Sequence, residues 1–95
     1  MFYWLNYADD GVKNAPLVLW LQGGPGAGSE FAKFIENGPT DVYGNKRNTS
    51  WTRVAHMLYV DNPIGTGFSY SKAPPQGFAT TDAEIAAHLV IFLQG

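Results

Sequence analysis

Leu17, Val18, Leu19, Trp20 and Leu21 follow one another with no polar interruption, a pattern that predicts a strand covered on both faces, as at the centre of a parallel sheet. Gln22 ends the run. A second candidate strand, Met57 to Val60, stops at Asp61-Asn62-Pro63, and the aromatic stretch from Met1 to Ala8 is strand-like. Asp9-Asp10-Gly11 offers a turn and Asn14-Ala15-Pro16 leads into the first run, so the opening segment is expected to approach the central strand antiparallel. After residue 28 the apolar spacing becomes helical. Phe31, Phe34 and Ile35 fall at i, i+3 and i+4, with Ser29 placed as N-cap and Asn37-Gly38-Pro39 as the stop. Thr40 to Tyr43 reads as another extended piece, Gly44 to Ser50 as a polar turn, Ile64 to Tyr70 as a glycine-bearing loop and Pro74 to Gly77 as a linker. In the last segment Thr81 and Glu84 form a capping box, and Ile85, Ala86, Leu89, Phe92 and Leu93 make one apolar face. The order β-β-α-β-α, without repeats, belongs to the α/β class.

Between the first strand and the first helix lie Gly23, Gly24, Pro25, Gly26 and Gly28. Such a loop leaves amide N–H groups uncovered. In open α/β sheets, ligands sit just outside the carboxyl ends of the strands, where this loop is expected. A phosphate-binding P-loop needs Lys and Ser or Thr after its last glycine, but Ser29 and Glu30 hold those places. A dinucleotide fingerprint needs G-x-G-x-x-G, whereas Gly24, Gly26 and Gly28 are spaced two and two. Two readings stay open. One is an oxyanion hole, in which preset amides face a developing negative charge, helped by the macrodipole of the following helix. The other is a tight strand-to-helix turn with no chemistry.

Composition narrows the partners. The 95 residues suit one small domain, and 45% hydrophobic residues suffice for a core. Only 15% are charged, below the roughly 25% of an average domain, so the chain reads as interior more than surface. A net charge of −2 forms no basic patch, which argues against nucleic acid or an anionic membrane as partner. With no cysteine and two histidines, no thiolate site, disulfide or metal centre is expected. Met1 to Leu5 is cut short by Asn6, too short for a signal peptide or membrane span. The helical pattern from Ile85 to Leu93 reaches Gly95 with no capping sequence beyond it, which suggests a piece of a longer protein.

Four ordered blocks, VLWLQGGPGAGS, FIENGP, the isolated Trp51 and MLYVDNPIGTGFSY, resemble the N-terminal part of the serine carboxypeptidase family (peptidase S10). Its members are α/β-hydrolase enzymes that remove C-terminal residues from peptides. The resemblance covers nearly the whole chain. Gln22, where many members have Asn, resembles the vitellogenic-like and retinoid-inducible branches. The implied fold is α/β: residues 1–95 form the N-terminal segment of an α/β-hydrolase fold, a mixed sheet with flanking helices, incomplete and not a whole domain. The resemblance further implies that Gly24 supplies one oxyanion-hole amide and that the second comes from the residue after a nucleophile that this chain lacks. It implies that Gln22, Gly23 and Glu36 hold the terminal carboxylate of a peptide or protein substrate, with Trp20 supporting them. No cofactor is implied, and the setting is the secretory pathway, in a lysosome or vacuole or outside the cell.

The implied chemistry is sound on its own terms. A side-chain amide and a backbone N–H can both donate to a carboxylate, whereas Glu36 can do so only when protonated. Two carboxyl groups in contact share one proton, so tight binding is expected at acid pH. Departures from the family pattern are equally specific. Ala27 stands where many members have a cysteine and Gly28 replaces a serine, so one common disulfide cannot form. No G-x-S-x-G elbow is present, although in this fold Ser, Asp and His follow in that chain order. Ser29, Ser50, Ser69, Ser71, His56 and His88 are read as structural or loop residues rather than a local triad, and Asp61 as a loop-positioning carboxylate. Asn48-Thr49-Ser50 is an N-glycosylation sequon. The alternative reading is a non-catalytic binding or structural module on the same fold.

Overall fold

The computed structural model describes residues 1–95. Strand β1 (Tyr3–Asn6), strand β2 (Leu17–Trp20), strand β3 (His56–Val60) and helix α1 (Asp82–Gln94) are joined by two short helical turns, Ala32–Glu36 and Trp51–Arg53. The sheet order is β1-β3-β2. β2 runs parallel to β3, with Leu17 opposite His56 and Trp20 opposite Tyr59. β1 runs antiparallel to β3, with Tyr3 opposite Val60 and Asn6 opposite Met57. The mixed sheet matches expectation, but the central strand is β3. The opening segment therefore pairs antiparallel with β3 and not with β2, whose Leu17 stays 62% exposed at the edge. β3 is the strand that is buried, through Met57, Tyr59 and Val60.

A parallel pair needs a crossover, and residues 21–55 provide it. Because side chains alternate across a strand, Met57 and Tyr59 share one face with their partners Val18 and Trp20. Ala32 and Ala55 of the crossover complete that small core. The opposite face, with Tyr3, Leu5, Leu17 and Leu58, looks toward α1 across an apolar groove of about 530 Å³, closed at one end by the Tyr3–Phe92 ring contact. In α1 the half-buried residues are Ile85, His88, Leu89 and Phe92, while Ala86 and Leu93 are exposed. The predicted apolar face is therefore narrower and includes a histidine. Thr81 caps the helix by accepting from the Glu84 N–H. The reciprocal bond of the expected capping box goes one residue further back, to the Thr80 N–H at 2.7 Å.

The first predicted helix is a single wide turn. Ala32–Glu36 is π-helical, closed by the Asn37 N–H on the Ala32 carbonyl at 2.9 Å. Gly38 ends it, because a Cβ there would collide with the Lys33 carbonyl. Ser29 does not cap it. Its hydroxyl donates to the Val60 carbonyl at 2.5 Å and accepts from the Gln22 N–H at 3.1 Å, so a bridge between the ends of β2 and β3 wins over local capping. A five-residue turn also aligns too few peptide dipoles for the expected macrodipole. Two contacts hold the turn against the sheet. Lys33, 3% exposed, places its ammonium 4.1 Å from the Trp4 ring centroid and 3.8 Å from that of Phe34, and burial lowers its pKa. Tyr59, pushed up to about 12 by burial, keeps its proton and donates it to Asn37 Oδ1 at 2.9 Å. The extended piece expected at Thr40 to Tyr43 shrinks to one bridge, Thr40 with Lys46, because Asp41 turns the chain by accepting from the Tyr43 and Asn45 amides.

Candidate active site

β2 and β3 are parallel, so the loops leaving their carboxyl ends meet at one edge of the sheet. The first is the glycine loop and the second begins at Asp61. Asp61 is fully buried, and its two carboxylate oxygens divide their work. Oδ1 accepts from the Ser29 N–H at 2.6 Å and Oδ2 from the Phe68 N–H at 2.8 Å. Gly67 lies against that carboxylate at φ +53°, where a Cβ would overlap Oδ2. Buried Ser69 secures the same corner, donating to the Asp61 carbonyl at 2.6 Å and accepting from the Phe2 N–H at 2.8 Å. Asp61 is a loop-positioning residue, as its place in the sequence suggests. The bridging parts of Ser29 and Ser69 are not legible there, since each depends on a partner more than 30 residues away.

On this frame three of the expected site residues form a continuous chain of hydrogen bonds. The indole N–H of Trp20 donates to Gln22 Oε1 at 2.9 Å, and Gln22 Nε2 donates to Glu36 Oε1 at 2.9 Å. An indole nitrogen can only donate, so it fixes which end of the Gln22 amide is oxygen and leaves the NH₂ facing Glu36. Trp20 is itself held by an edge-on contact with Trp51, the ring centroids 5.4 Å apart. Glu36 lies at the end of the wide turn, where its carbonyl accepts from Arg47 Nη2 at 2.6 Å. The turn thus aims the carboxyl group and Arg47 anchors its backbone.

Gly23 and Gly24 follow Gln22 directly, and both are exposed. Neither amide finds an acceptor within the chain. The arrangement therefore offers two free backbone donors, one spare N–H on Gln22 and one carboxyl group that can give or accept a proton. That set suits an anion with two oxygens. Asn48 takes no part in it. The residue is exposed in the turn before Trp51–Arg53, and Ser50 of the same sequon is buried as the cap of that turn, accepting from the Thr52 N–H at 3.1 Å.

No serine is paired with a histidine. Ser29, Ser50 and Ser69 are engaged as described, and Ser71 donates to the Gln76 carbonyl. His56 Nδ1 accepts from the Ala8 N–H at 2.9 Å, and His88 Nδ1 is buried without a partner. No group of three or more metal-ligating side chains is assembled, and no helix is long and apolar enough to cross a membrane.

Known proteins resemble this chain in sequence and in backbone. The family description "Serine carboxypeptidase" matches residues 1–95. The chain is 42% identical to the vitellogenic carboxypeptidase of Aedes aegypti over 99% of its length, which is 21% of that protein. It is 45% identical to the retinoid-inducible serine carboxypeptidase of Homo sapiens, again over 99% of its length and 22% of the relative. Both branches suggested by Gln22 are thus represented. Among solved structures, a prohormone-processing carboxypeptidase from Saccharomyces cerevisiae superposes with a TM-score of 0.82 at 30% identity, covering 97% of this chain and 22% of that one. The chain spans about one fifth of the length of the relatives that it matches. Kinship in sequence and backbone extends from the first strand to the last helix, and the chain belongs to the serine carboxypeptidase family, hydrolases of the α/β-hydrolase fold.

Proposed function

We propose that the protein is a serine-type carboxypeptidase in which this chain recognises the free carboxyl end of a peptide and supplies one oxyanion-hole amide. The observation that carries the reading is the Trp20–Gln22–Glu36 hydrogen-bond chain beside two unbonded amides. Gln22 Nε2 and the Gly23 N–H donate to the substrate's terminal carboxylate, and Glu36 in its protonated form donates a further hydrogen bond. The Gly24 N–H, in a backbone with φ +151°, faces the oxygen that becomes negative when the scissile carbonyl is attacked. A preset amide needs no reorganisation as that charge grows, which is the source of its effect on rate. The attacking hydroxyl and its base come from outside these 95 residues, because every serine here is either buried in a structural bond or paired only with backbone. The same kinship points to the secretory pathway, ending in an acidic lysosome or vacuole or outside the cell, with exposed Asn48 as a sugar acceptor that endoglycosidase treatment would reveal as a loss of mass.

The experiment is a comparison of two peptides on the full-length protein at acid pH, one ending in a free carboxylate and the other amidated. Hydrogen bonds to a charged group contribute about 1.5–3 kcal/mol each, so the free acid should bind roughly 10-fold tighter or more. Equal affinity for the two peptides removes the carboxylate pocket from this site.

A further inference from the structure

A second carboxyl pair lies at the foot of the glycine loop, apart from Glu36. Glu30 Oε2 and Asp61 Oδ1 flank Gly28 from the same side: a Cβ on that glycine would stand 2.8 Å from the first and 3.5 Å from the second. Both carboxyl oxygens thus lie within 4 Å of one point beside Gly28, and the nearness of Asp61 is one of the causes that raise Glu30. Asp61 faces the Ser29 and Phe68 amides, which want an acceptor, so the proton between the two acids belongs on Glu30. No lysine, arginine or histidine forms an ion pair with either group; the chain's one salt bridge joins Lys46 to Asp9. Asp61 is the charged group that faces Glu30 from β3 and its loop, and no other charge acts on it from the crossover or the strands.

We propose that Glu30 is a positioning residue for the glycine loop, a protonated carboxyl that donates to Asp61 and thereby holds Gly28 and Ser29 in register with the end of β3. The inference rests on reading that loop as the oxyanion-hole element. With Glu30 neutral, the pair carries one negative charge below a loop whose amides are to receive another. With Glu30 ionised, two like charges repel across Gly28, and the bond from the Ser29 N–H to Asp61 is strained or lost. Burial first, and then the neighbouring Asp61, push Glu30 above its ordinary value of about 4.5. The sign follows from linkage. The folded state holds this proton more tightly than the unfolded one, so the stabilisation is complete below the ordinary value and disappears as pH climbs through the raised one. The loop is best ordered in acid.

The test is a ¹³C carboxyl NMR titration of the full-length protein with labelled glutamate, together with the Ser29 amide proton. The resonance missing from Glu30→Gln identifies Glu30. The expected result is a Glu30 midpoint above the ordinary glutamate range and a Ser29 shift that follows the same midpoint in the wild type. In Glu30→Gln the amide donates to Asp61 at every pH, so Ser29 should stay at its acid position throughout. A Glu30 midpoint in the ordinary range, or a Ser29 titration that persists in Glu30→Gln, overturns the proposal. No peptide takes part in this measurement. A protein that fails to prefer free-acid peptides while Glu30 and Ser29 titrate together would refute the function proposed above and leave this inference standing.

Discussion

Glu36 touches Gln22 because the crossover makes its one π-helical turn just where Gln22 leaves the sheet. If Glu36 donates to the substrate carboxylate, its proton is shared with the substrate and is lost as pH rises. A Glu36→Gln variant carries a permanent donor of nearly the same shape and can still accept from Gln22 Nε2. For peptides with a free C-terminus, wild-type KM should rise by up to about tenfold per pH unit once the shared proton is gone, while KM of the variant stays within about threefold. Amidated peptides should scarcely distinguish the two proteins. Steady-state kinetics between pH 4.5 and 8 decide the matter, and superimposable free-acid profiles would take Glu36 out of the pocket. Trp20 lies one bond further back, its indole N–H donating to Gln22 Oε1.

The element on which the site depends most is the loop that follows β3. Asp61 collects amides from both site loops, and Gly67 allows it to do so because nothing larger fits against the carboxylate. Gly11 provides an internal comparison, since it too has positive φ, +87°, but a Cβ there meets nothing within 4 Å. Gly11→Ala should therefore incur only the conformational cost of an L-residue, about 1–2 kcal/mol. Gly67→Ala adds the displacement of a buried carboxylate and the loss of its bonds, for a total of about 3–5 kcal/mol. Urea unfolding of the full-length protein measures both. Equal losses would show that the approach of Gly67 to Asp61 carries no weight.

For the whole molecule, shape and surface point the same way. The accessible surface is 6192 Å² for 10.4 kDa, against roughly 5,400 Å² for a compact monomer of that mass. The radius of gyration is 14.3 Å, where a domain of this length would have about 12.4 Å. The buried apolar residues are Ala32, Ala55, Met57, Tyr59 and Val60, while Leu17, Ile35, Val54, Phe68 and Ile91 each expose more than half of their surface. So small a core against so much apolar surface does not support a cooperative transition. The 95-residue chain expressed alone should bind a hydrophobic dye and melt gradually, and it should not turn over peptides. A sharp calorimetric transition from a soluble monomer would contradict this.

The sequence by itself settled what depends on local pattern and on a run of residues read together. Apolar and aromatic runs bounded by turn residues placed the three strands, helical spacing placed α1, and the blocks around Gly24, Glu36 and Asp61 identified the family because their residues are contiguous in the chain. Which strand is central, where Ser29 directs its hydroxyl, and how a turn 14 residues beyond Gln22 brings Glu36 within 2.9 Å of it were decided only in three dimensions. Leu17 to Leu21 is as apolar as Met57 to Val60, but centrality is a matter of having neighbours on both edges, which no single strand encodes. Ser29 has the composition of a cap and the position of a bridge, and the bridge wins because the parallel pairing of β2 with β3 brings the Val60 carbonyl within its reach. The approach of Glu30 and Asp61 is of the same kind: two acids 31 residues apart flank Gly28 only because the loops that carry them leave the carboxyl ends of neighbouring parallel strands.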